Sequence, residues 1–300
     1  MTNAGEVAVL VGPTAGRGRH SHLLDDVLTA LRASGRDVQR LSATTMDGAV
    51  RAGREAVAGG VAALVAIGGD GTVHLGLQAA AGTGVPFGIV PAGTGNDFAT
   101  ELGVPANPVE AAKRLSDALV ADRTRPIDLA RMSGPDGYKR WFGAVLGAGF
   151  DAIVNERANA MRWPKGPRRY DIAIFAELIR LRPRRYRVVL DGEAMEVDAV
   201  LVAVANTASY GGGMRMCPAA TADDGVLDVV VGGPISRTTL LRLQPRVYKG
   251  THVQHPMVTE YRASQVELVA DGITAYVDGE RACPLPVTVN AAPAALTLLT

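Results

Sequence analysis

The chain has 300 residues, 47% of them hydrophobic, and a formal net charge of +1 at pH 7. This length predicts one large domain or two of ordinary size, with enough apolar side chains for a sizeable core. The balanced charge gives no support for a nucleic-acid-binding protein. Two cysteines, Cys217 and Cys283, are too few for a disulfide framework, and they do not have the spacing of a zinc site.

The first residues include Glu6 and no basic segment, so they do not have the pattern of a signal peptide. No apolar run reaches the roughly 18 residues of a membrane-spanning helix. These features predict a cytoplasmic protein in a reducing compartment, although such a chain can still bind to the surface of a membrane.

The first 120 or so residues alternate between predicted strands and predicted helices. The predicted strands cover 6–11, 37–43, 62–67 and 85–90, and the predicted helices cover 22–35, 47–60 and 72–82. Alternation of this kind indicates βαβ units and a parallel sheet. Ligands of such sheets bind beyond the carboxyl ends of the strands.

Three glycine-rich loops follow predicted strands: "GPTAGRG" (12–18), "GGDGT" (68–72) and "PAGTGND" (91–97). Right-handed crossovers bring the carboxyl ends of parallel strands to one edge, so the three loops should lie together. Glycine lets backbone N–H groups approach an anion, and the start of a helix adds the positive end of its dipole. A single loop of this kind is a simple turn as often as it is a phosphate-binding loop, but three such loops at one edge predict a polyphosphate site.

A carboxylate among these glycines needs a separate explanation, because Asp70 would repel phosphate. Magnesium binds oxygen ligands and commonly bridges carboxylates to phosphates. Asp70 is therefore a candidate magnesium-side carboxylate, with a helix cap or turn residue as the alternative. The usual P-loop, Rossmann and protein-kinase signatures do not occur in the chain.

After about residue 125 the pattern changes to short strand-like runs bounded by Gly, Asp or Asn. This pattern predicts a β-rich second domain, a sandwich or a barrel, interrupted by helices near 151–161 and 169–182. The predicted domains are 1–125 and 126–291, with 292–300 packing back on the first domain.

The motifs "GGDGT", "PAGTGNDFA", "GAGFDA", "VANTASYGGGMRMCPAATADDGVLDVVV" and "YVDGE" occur in this order along the chain. Their order resembles that of the diacylglycerol kinase and sphingosine kinase superfamily, and most of all its bacterial lipid kinases. NAD kinases and phosphofructokinases share a GGDGT-like turn in a related fold. The resemblance implies an α/β nucleotide-binding domain of that type, a C-terminal β-sandwich, and an active site between them.

The resemblance assigns nucleotide binding to three loops and one threonine. The implied residues are Gly12, Pro13, Thr14, Ala15, Gly16, Thr44, Gly68, Gly69, Asp70, Gly71, Thr72, Val73, His74, Thr94 and Asn96. Thr45 fits the threonine position as well as Thr44 does. The chain departs from the family at Gly12, where Asn is usual, and at His74, where Asn is common.

The segment "ATADDGVLD" resembles the family's magnesium-binding loop. The implied ligands are the side chain of Asp224 and the backbone carbonyls of Thr221 and Val226. An Asp-Asp-Gly turn offers hard oxygen donors within a short span, although the same residues also suit an ordinary hairpin turn.

The tripeptide Asp-Gly-Glu occurs at 191–193 and again at 278–280, and composition cannot distinguish the two. In the family the catalytic copy follows the Asp-Asp-Gly loop, which selects the second. The resemblance then makes Glu280 the general base for the lipid hydroxyl, with Asp278 orienting it or serving the metal. Asp70 completes the predicted catalytic set, and Asp191-Gly192-Glu193 is predicted to be a surface turn.

The implied activity is transfer of the γ-phosphoryl group of ATP to diacylglycerol, with Mg²⁺ and a second, structural Mg²⁺. The alternatives are another lipid alcohol (a sphingoid base or phosphatidylglycerol), an NAD kinase-like activity, and a non-catalytic nucleotide- or lipid-binding module. The segment Arg162–Arg187 holds nine basic and two acidic residues, which predicts either a solvated face or transient docking on an anionic membrane. The expected location is cytoplasmic, peripheral to the inner face of the plasma membrane, with a homodimer allowed and no nucleic-acid partner.

Overall fold

The computed structural model describes residues 5–12, 21–161, 172–173, 176–178 and 181–300. The chain divides into two compact units. The first unit comprises Met1–Leu129, Ala222–Asp224 and Ala292–Thr300, and the second comprises Ala130–Thr221 and Gly225–Ala291.

The first unit alternates strands and helices along the chain. Its elements are β1 (Val7–Val11), α1 (Ser21–Arg32), β2 (Val38–Arg40), α2 (Met46–Ala58), β3 (Ala63–Gly68), α3 (Asp70–Ala80), β4 (Pro86–Pro91), α4 (Asp97–Glu101) and α5 (Pro108–Ala121). The strands pair in parallel in the order β2-β1-β3-β4. Thr297 and Leu298, near the end of the chain, pair in parallel with Pro86 and Phe87 and so add to the sheet beside β4.

Burial explains why the central strands of this sheet are continuously apolar. All six residues of β3 are buried, as expected for a parallel strand that helices cover on both faces. Two of the helices begin at polar caps: the Thr45 hydroxyl accepts a hydrogen bond from the Gly48 N–H at the start of α2, and Asn107 caps α5 ahead of Pro108. The local sequence and the tertiary packing thus favour the same α/β structure.

The second unit is built mainly from antiparallel strands. The remaining elements are β5 (Thr124–Ser133), β6 (Lys139–Phe142), β7 (Val145–Gly149), α6 (Phe150–Ala160), β8 (Arg184–Leu190), β9 (Glu193–Ala199), β10 (Leu201–Ala205), β11 (Leu227–Gly232), α7 (Arg237–Lys249), β12 (Val258–Ala263), β13 (Gln265–Val269), β14 (Thr274–Val277), β15 (Glu280–Pro284) and β16 (Val287–Leu299). Two of these strands change unit: β5 begins in the first unit, and β16 ends in it.

Two antiparallel layers enclose the core of the second unit. One has the strand order β12-β11-β10-β7-β14-β15, and the other joins the first part of β16 to β13, β8 and β9. Leu146 and Val202 of the first layer belong to the same hydrophobic cluster as Tyr186 and Val266 of the second. The Tyr186 hydroxyl donates to the Ala148 carbonyl oxygen at 3.3 Å, so the polar end of this buried ring also has a partner. The predicted fold class, a parallel α/β domain followed by a β-sandwich, is confirmed.

Some elements differ from the sequence prediction. The strand predicted at 37–43 is only three residues long, because β2 is the sheet edge and two of its residues are exposed. The helices α5 and α7 were not predicted from the sequence. In α7, the internal Pro245 weakens the helical pattern of the sequence. Half of the helix predicted at 169–182 lies outside the described residues. Within the part of the chain that the structure describes, no helix is both long and apolar enough to cross a bilayer.

Candidate active site

The ends of three strands in the first unit lie side by side. The Gly12 N–H donates to the Ile67 carbonyl oxygen at 2.9 Å, and the Ala92 N–H donates to the Gly68 carbonyl oxygen at 2.8 Å. These bonds bring the start of the first glycine loop and the two other loops to one sheet edge. The rest of the first loop, residues 13–18, lies outside the described residues, and with it the predicted contacts of Pro13, Thr14, Ala15 and Gly16.

Asp70 links the second and third loops. Its Oδ2 accepts a hydrogen bond of 2.8 Å from the backbone N–H of Asn96. Asn96 has a left-handed backbone with φ of 58°, and its side chain exchanges two hydrogen bonds of 3.0 Å with the backbone of Gly93. The Asp70 carboxylate therefore links the second glycine-rich loop to the third through this hydrogen bond.

Glycine is required where these two loops touch. A β-carbon on Gly69 would lie 3.2 Å from the Gly93 Cα, and one on Gly93 would overlap Gly69 directly. A β-carbon on Gly95 would meet the Asp70 carboxylate at 2.6 Å. The loops are thus packed backbone against backbone at Gly69 and Gly93, a close approach that a β-carbon would block.

The Thr72 side chain lies against Gly12, at the start of the first loop, and against Gly68, at the start of its own loop. A β-carbon on either Gly12 or Gly68 would overlap the Thr72 hydroxyl oxygen. At position 12, where Asn is usual in the family, this chain has Gly, and Thr72 occupies the space that a side chain there would need. Thr72 is half-buried, whereas Thr94 in the third loop is exposed.

The side chains that follow the second loop point into the protein. Val73 is 4% exposed and His74 is 1% exposed, and the His74 Nε2 lies 3.5 Å from the Gln78 Nε2. Because both side chains are buried, a nucleotide would have to contact these two residues through their backbone. Their assignment to nucleotide binding stays a prediction.

The two candidate threonines before α2 have different environments. Both Thr44 and Thr45 are exposed. The Thr45 hydroxyl accepts a hydrogen bond of 3.1 Å from the Gly48 N–H and so caps α2. Because this cap engages Thr45, Thr44 is the better candidate for a ligand contact.

The predicted metal loop is exposed at its carboxylate. Asp224 and Thr221 are exposed, and Val226 is half-buried. Among the described residues, no three His, Cys, Asp or Glu side chains form a metal-binding cluster. The predicted magnesium ligands are one carboxylate and two backbone carbonyls, which do not make up a cluster of that kind. The magnesium-binding loop therefore stays a prediction.

In the second unit, the predicted catalytic tripeptide forms the turn between β14 and β15. Asp278 and Gly279 have φ of 50° and 81°, as in a tight type I′ hairpin turn. Both Asp278 oxygens accept backbone hydrogen bonds, one from Gly143 at 3.1 Å and one from Ala144 at 2.9 Å. Glu280 follows this turn and is half-buried.

Sequence reasoning missed Asn206, which binds the carbonyl oxygens of the two residues whose N–H groups bind Asp278. Asn206 is 1% exposed, and its Nδ2 donates to the Gly143 carbonyl oxygen at 2.9 Å. Its backbone N–H donates to the Ala144 carbonyl oxygen at 2.8 Å. Asn206 therefore positions the peptide groups that Asp278 binds, and its place in "VANT" after a strand was the available signal.

The first Asp-Gly-Glu tripeptide has the same local geometry at the turn between β8 and β9. Asp191 has φ of 48°, and its carboxylate accepts hydrogen bonds from the N–H groups of Ser264 and Gln265. Glu193 is exposed, unlike Glu280. Turn conformation therefore does not distinguish the two copies, but the burial of the glutamate does.

Neither cysteine is a candidate nucleophile. Burial raises the pKa of the Cys217 thiol well above its usual value, with Asp228 adding to the effect. Burial also raises the pKa of Cys283, which lies three residues after Glu280, although Arg140 and Arg281 oppose it. Both groups stay protonated at neutral pH, and nucleophilic attack needs the thiolate.

Replacing Gly93 by Ala tests the contact between loops. We expect this change to weaken nucleotide binding at least tenfold and to lower the free energy of unfolding by about 1–3 kcal/mol, because the new methyl group overlaps Gly69. Calorimetric titration with ATP and thermal unfolding measure the two effects. Gly5→Ala is the control, because no atom lies within 4 Å of a β-carbon there. Unchanged ATP affinity in Gly93→Ala would remove this contact from the site.

Comparison with known proteins covers both units. Residues 6–132 match the diacylglycerol kinase catalytic domain, and residues 144–300 match the YegS C-terminal NAD kinase beta sandwich-like domain. A diacylglycerol kinase of Mycobacterium tuberculosis is 45% identical over 98% of this chain and 95% of its own length. A protein of Stenotrophomonas maltophilia named "probable lipid kinase YegS-like" is 32% identical over 75% of this chain and 74% of its own length.

A solved structure supports the fold independently. The crystal structure of a diacylglycerol kinase from Bacillus anthracis has a TM-score of 0.72 and covers 98% of this chain and 96% of its own. Its 22% identity supports a shared fold and no more. The family matches and the M. tuberculosis relative go further: this chain belongs to the family of diacylglycerol kinases and YegS-like lipid kinases, and it is a lipid kinase.

Proposed function

We propose that this lipid kinase transfers the γ-phosphoryl group of ATP to the hydroxyl group of diacylglycerol, forming phosphatidic acid and ADP. The observation that carries the proposal is that the starts of three glycine-rich loops lie at one sheet edge, where Asp70 joins the second loop to the third. Such a surface of peptide groups suits a polyphosphate. The M. tuberculosis relative, named a diacylglycerol kinase, supports the choice of acceptor.

The proposed ATP contacts come from the loops of the first unit. Gly68, Gly69 and Gly71 would present peptide N–H groups, and the exposed Thr94 would donate its hydroxyl to a phosphate oxygen. The N-terminal end of α3 adds a partial positive charge beside the second loop. Thr44 would contact the nucleotide from the start of α2.

The oxygen donors of the chain fit magnesium. Asp70 offers a half-buried carboxylate, and Asp224 offers an exposed one within a turn that also has the carbonyls of Thr221 and Val226. Oxygen ligands of this kind are those that Mg²⁺ binds. When bound with ATP, the ion would neutralise charge on the phosphates during transfer. Asp70 would hold the ion on its carboxylate while its Oδ2 keeps the third loop in place.

Glu280 is the proposed general base. Its carboxylate would take the proton from the lipid hydroxyl while that oxygen bonds to the γ-phosphorus and the bond to the ADP oxygen breaks. Asp278 would act as a positioning residue, since both of its oxygens bind the backbone of residues 143–144. Asn206 supports the same backbone from the other side.

A substrate held in a bilayer implies that the enzyme works at a membrane surface, at the cytoplasmic face under this proposal. The basic segment Arg162–Arg187 lies mostly outside the described residues. In the described part of this segment, Arg185 forms an ion pair of 3.1 Å with Glu196, so Glu196 offsets one of the positive charges of the segment. The homodimer stays a prediction.

A lipid screen with labelled ATP tests the proposal. The purified protein with Mg²⁺ should phosphorylate diacylglycerol in mixed micelles and leave sphingoid bases, phosphatidylglycerol and NAD unlabelled. Labelling only another lipid would overturn the diacylglycerol assignment but keep the kinase. Labelling only NAD would favour the NAD kinase-like alternative. No labelling together with tight ATP binding would indicate a binding module.

A further inference from the structure

The helix α7 presents apolar side chains to solvent. Leu241 and Tyr248 are 49% and 50% exposed, whereas Leu243 is 4% exposed and packs into the second unit. Leu241 and Tyr248 are about two turns apart, so they lie on the same face of the helix. Pro245, which is also exposed, lies between them. The result is a narrow apolar stripe along the outside of a helix that is anchored on its opposite side.

Cationic side chains flank this stripe. Arg242, Arg246 and Lys249 are exposed and follow helical spacing, which places them together along one side of the stripe. Arg237 lies on the other side, one turn before Leu241. Long basic side chains can keep their charge in water while their stems cover apolar surface.

No negative charge in the neighbouring sequence offsets these cations. The chain contains no Asp or Glu between Asp228 and Glu260, a segment that includes all of α7. A further cation, the exposed Arg215, lies near the end of the helix because its backbone N–H donates to the Val247 carbonyl oxygen at 3.1 Å. The outer side of α7 is therefore both positive and partly apolar.

We propose that this surface docks the protein on an anionic lipid bilayer; we name it the α7 face, formed by Arg237, Leu241, Arg242, Arg246, Tyr248 and Lys249. An apolar stripe flanked by cations is the pattern of helices that lie in a membrane interface. Tyrosine suits this position because its ring is apolar and its hydroxyl can stay hydrated. The inference deepens the proposed function, on which it rests for its biological purpose, by assigning the surface through which the enzyme reaches a lipid substrate.

Charge argues against the simplest protein occupant. A second copy that packed symmetrically on the α7 face would bring two sets of Arg242, Arg246 and Lys249 together. Like charges in an interface are unfavourable, whereas anionic head groups complement them. The membrane therefore satisfies both the positive charge and the exposed apolar stripe.

Vesicle sedimentation tests the proposal without any catalytic step. The full-length protein is mixed with phosphatidylcholine vesicles, with or without about 30% phosphatidylglycerol, in the absence of ATP and diacylglycerol. We expect binding to the anionic vesicles alone. We also expect release as NaCl rises from about 0.05 M to about 0.5 M, because salt screens the head-group attraction.

Matched variants separate the α7 face from overall charge. Arg242→Gln/Arg246→Gln/Lys249→Gln should weaken binding about 100-fold, since each cation near the surface contributes roughly a fivefold factor. The control triple variant is Arg32→Gln/Arg51→Gln/Lys113→Gln, which removes the same charge from exposed sites in the first unit and should bind normally.

The apolar stripe has its own matched pair. Leu241→Ser/Tyr248→Ser should weaken binding about tenfold, because two partly exposed apolar side chains no longer enter the interface. The control Met46→Ser/Val120→Ser changes two similarly exposed apolar side chains, 49% and 69% exposed, and should have little effect.

Three results would overturn the proposal. They are equal losses in the two triple variants, normal binding by Leu241→Ser/Tyr248→Ser, and vesicle-independent dimerisation that the α7 variants abolish. Unchanged thermal unfolding temperatures show that the variants are folded. Turnover in neutral detergent micelles is measured separately: no phosphorylation there contradicts the proposed function, whereas vesicle binding alone decides the α7 face.

Discussion

Glu280→Gln is expected to lower diacylglycerol phosphorylation by about 100-fold to 10,000-fold, the range usual for loss of a general base. The amide keeps the size of the side chain but cannot accept the hydroxyl proton. ATP affinity and thermal stability should stay close to those of the unmodified protein, because Glu280 is half-buried and lies outside the glycine loops. Initial rates of phosphatidic acid formation, ATP titration and thermal unfolding measure the three quantities.

The chain contains a matched control for this experiment. Glu193 follows a turn with the same Asp-Gly sequence and the same left-handed backbone, but its side chain is exposed. Glu193→Gln should therefore leave turnover unchanged. If Glu193→Gln abolished activity and Glu280→Gln retained it, the assignment of the two tripeptides would be reversed.

Asp70→Asn is expected to reduce magnesium-dependent turnover by about 100-fold to 1,000-fold, comparable to removal of one electrostatic contact in an active site. The amide oxygen can still accept the hydrogen bond from Asn96, so the loops should remain joined. The free energy of unfolding should change by less than about 1 kcal/mol. Steady-state rates over a range of Mg²⁺ concentrations, together with chemical unfolding, measure the two effects.

A second substitution at the same position separates charge from hydrogen bonding. Asp70→Ala removes the acceptor as well, so the Asn96 N–H loses its partner and about 1–3 kcal/mol of stability should be lost. Asp117→Asn, an exposed carboxylate on α5, is the control and should affect neither quantity. If the Asp70→Asn variant unfolded readily but its folded fraction kept normal turnover, the role of the carboxylate would be only structural.

Much of the fold was accessible from the sequence because its signals are local. Alternation of apolar strands with amphipathic helices predicted the parallel sheet, and the handedness of the connections predicted that three loops meet at one edge. Gly12 and Gly68 do lie there against Thr72, and Gly93 lies against Gly69. The β-sandwich followed from short strand runs and turn residues, whereas α7 escaped prediction because Pro245 interrupts its pattern.

The site was predictable in part. The motifs identified Asp70 and Glu280 as candidates, but the link from Asp70 to Asn96 spans 26 residues and the one from Asp278 to Ala144 spans 134. Partners so distant in sequence leave no local periodicity. The buried Asn206 and the inward-facing His74 depend on packing in the same way.

By itself, the sequence determined which chemical groups follow the ends of strands, since chain order and strand direction place them at one sheet edge. The tertiary structure alone decided the hydrogen-bond partners and the burial of each group. It gave the Asp278 and Asp191 carboxylates different backbone partners despite identical turns, and it left one face of α7 exposed. The physical reason is that hydrogen bonding and burial depend on neighbours that folding brings together, which a single stretch of sequence does not contain.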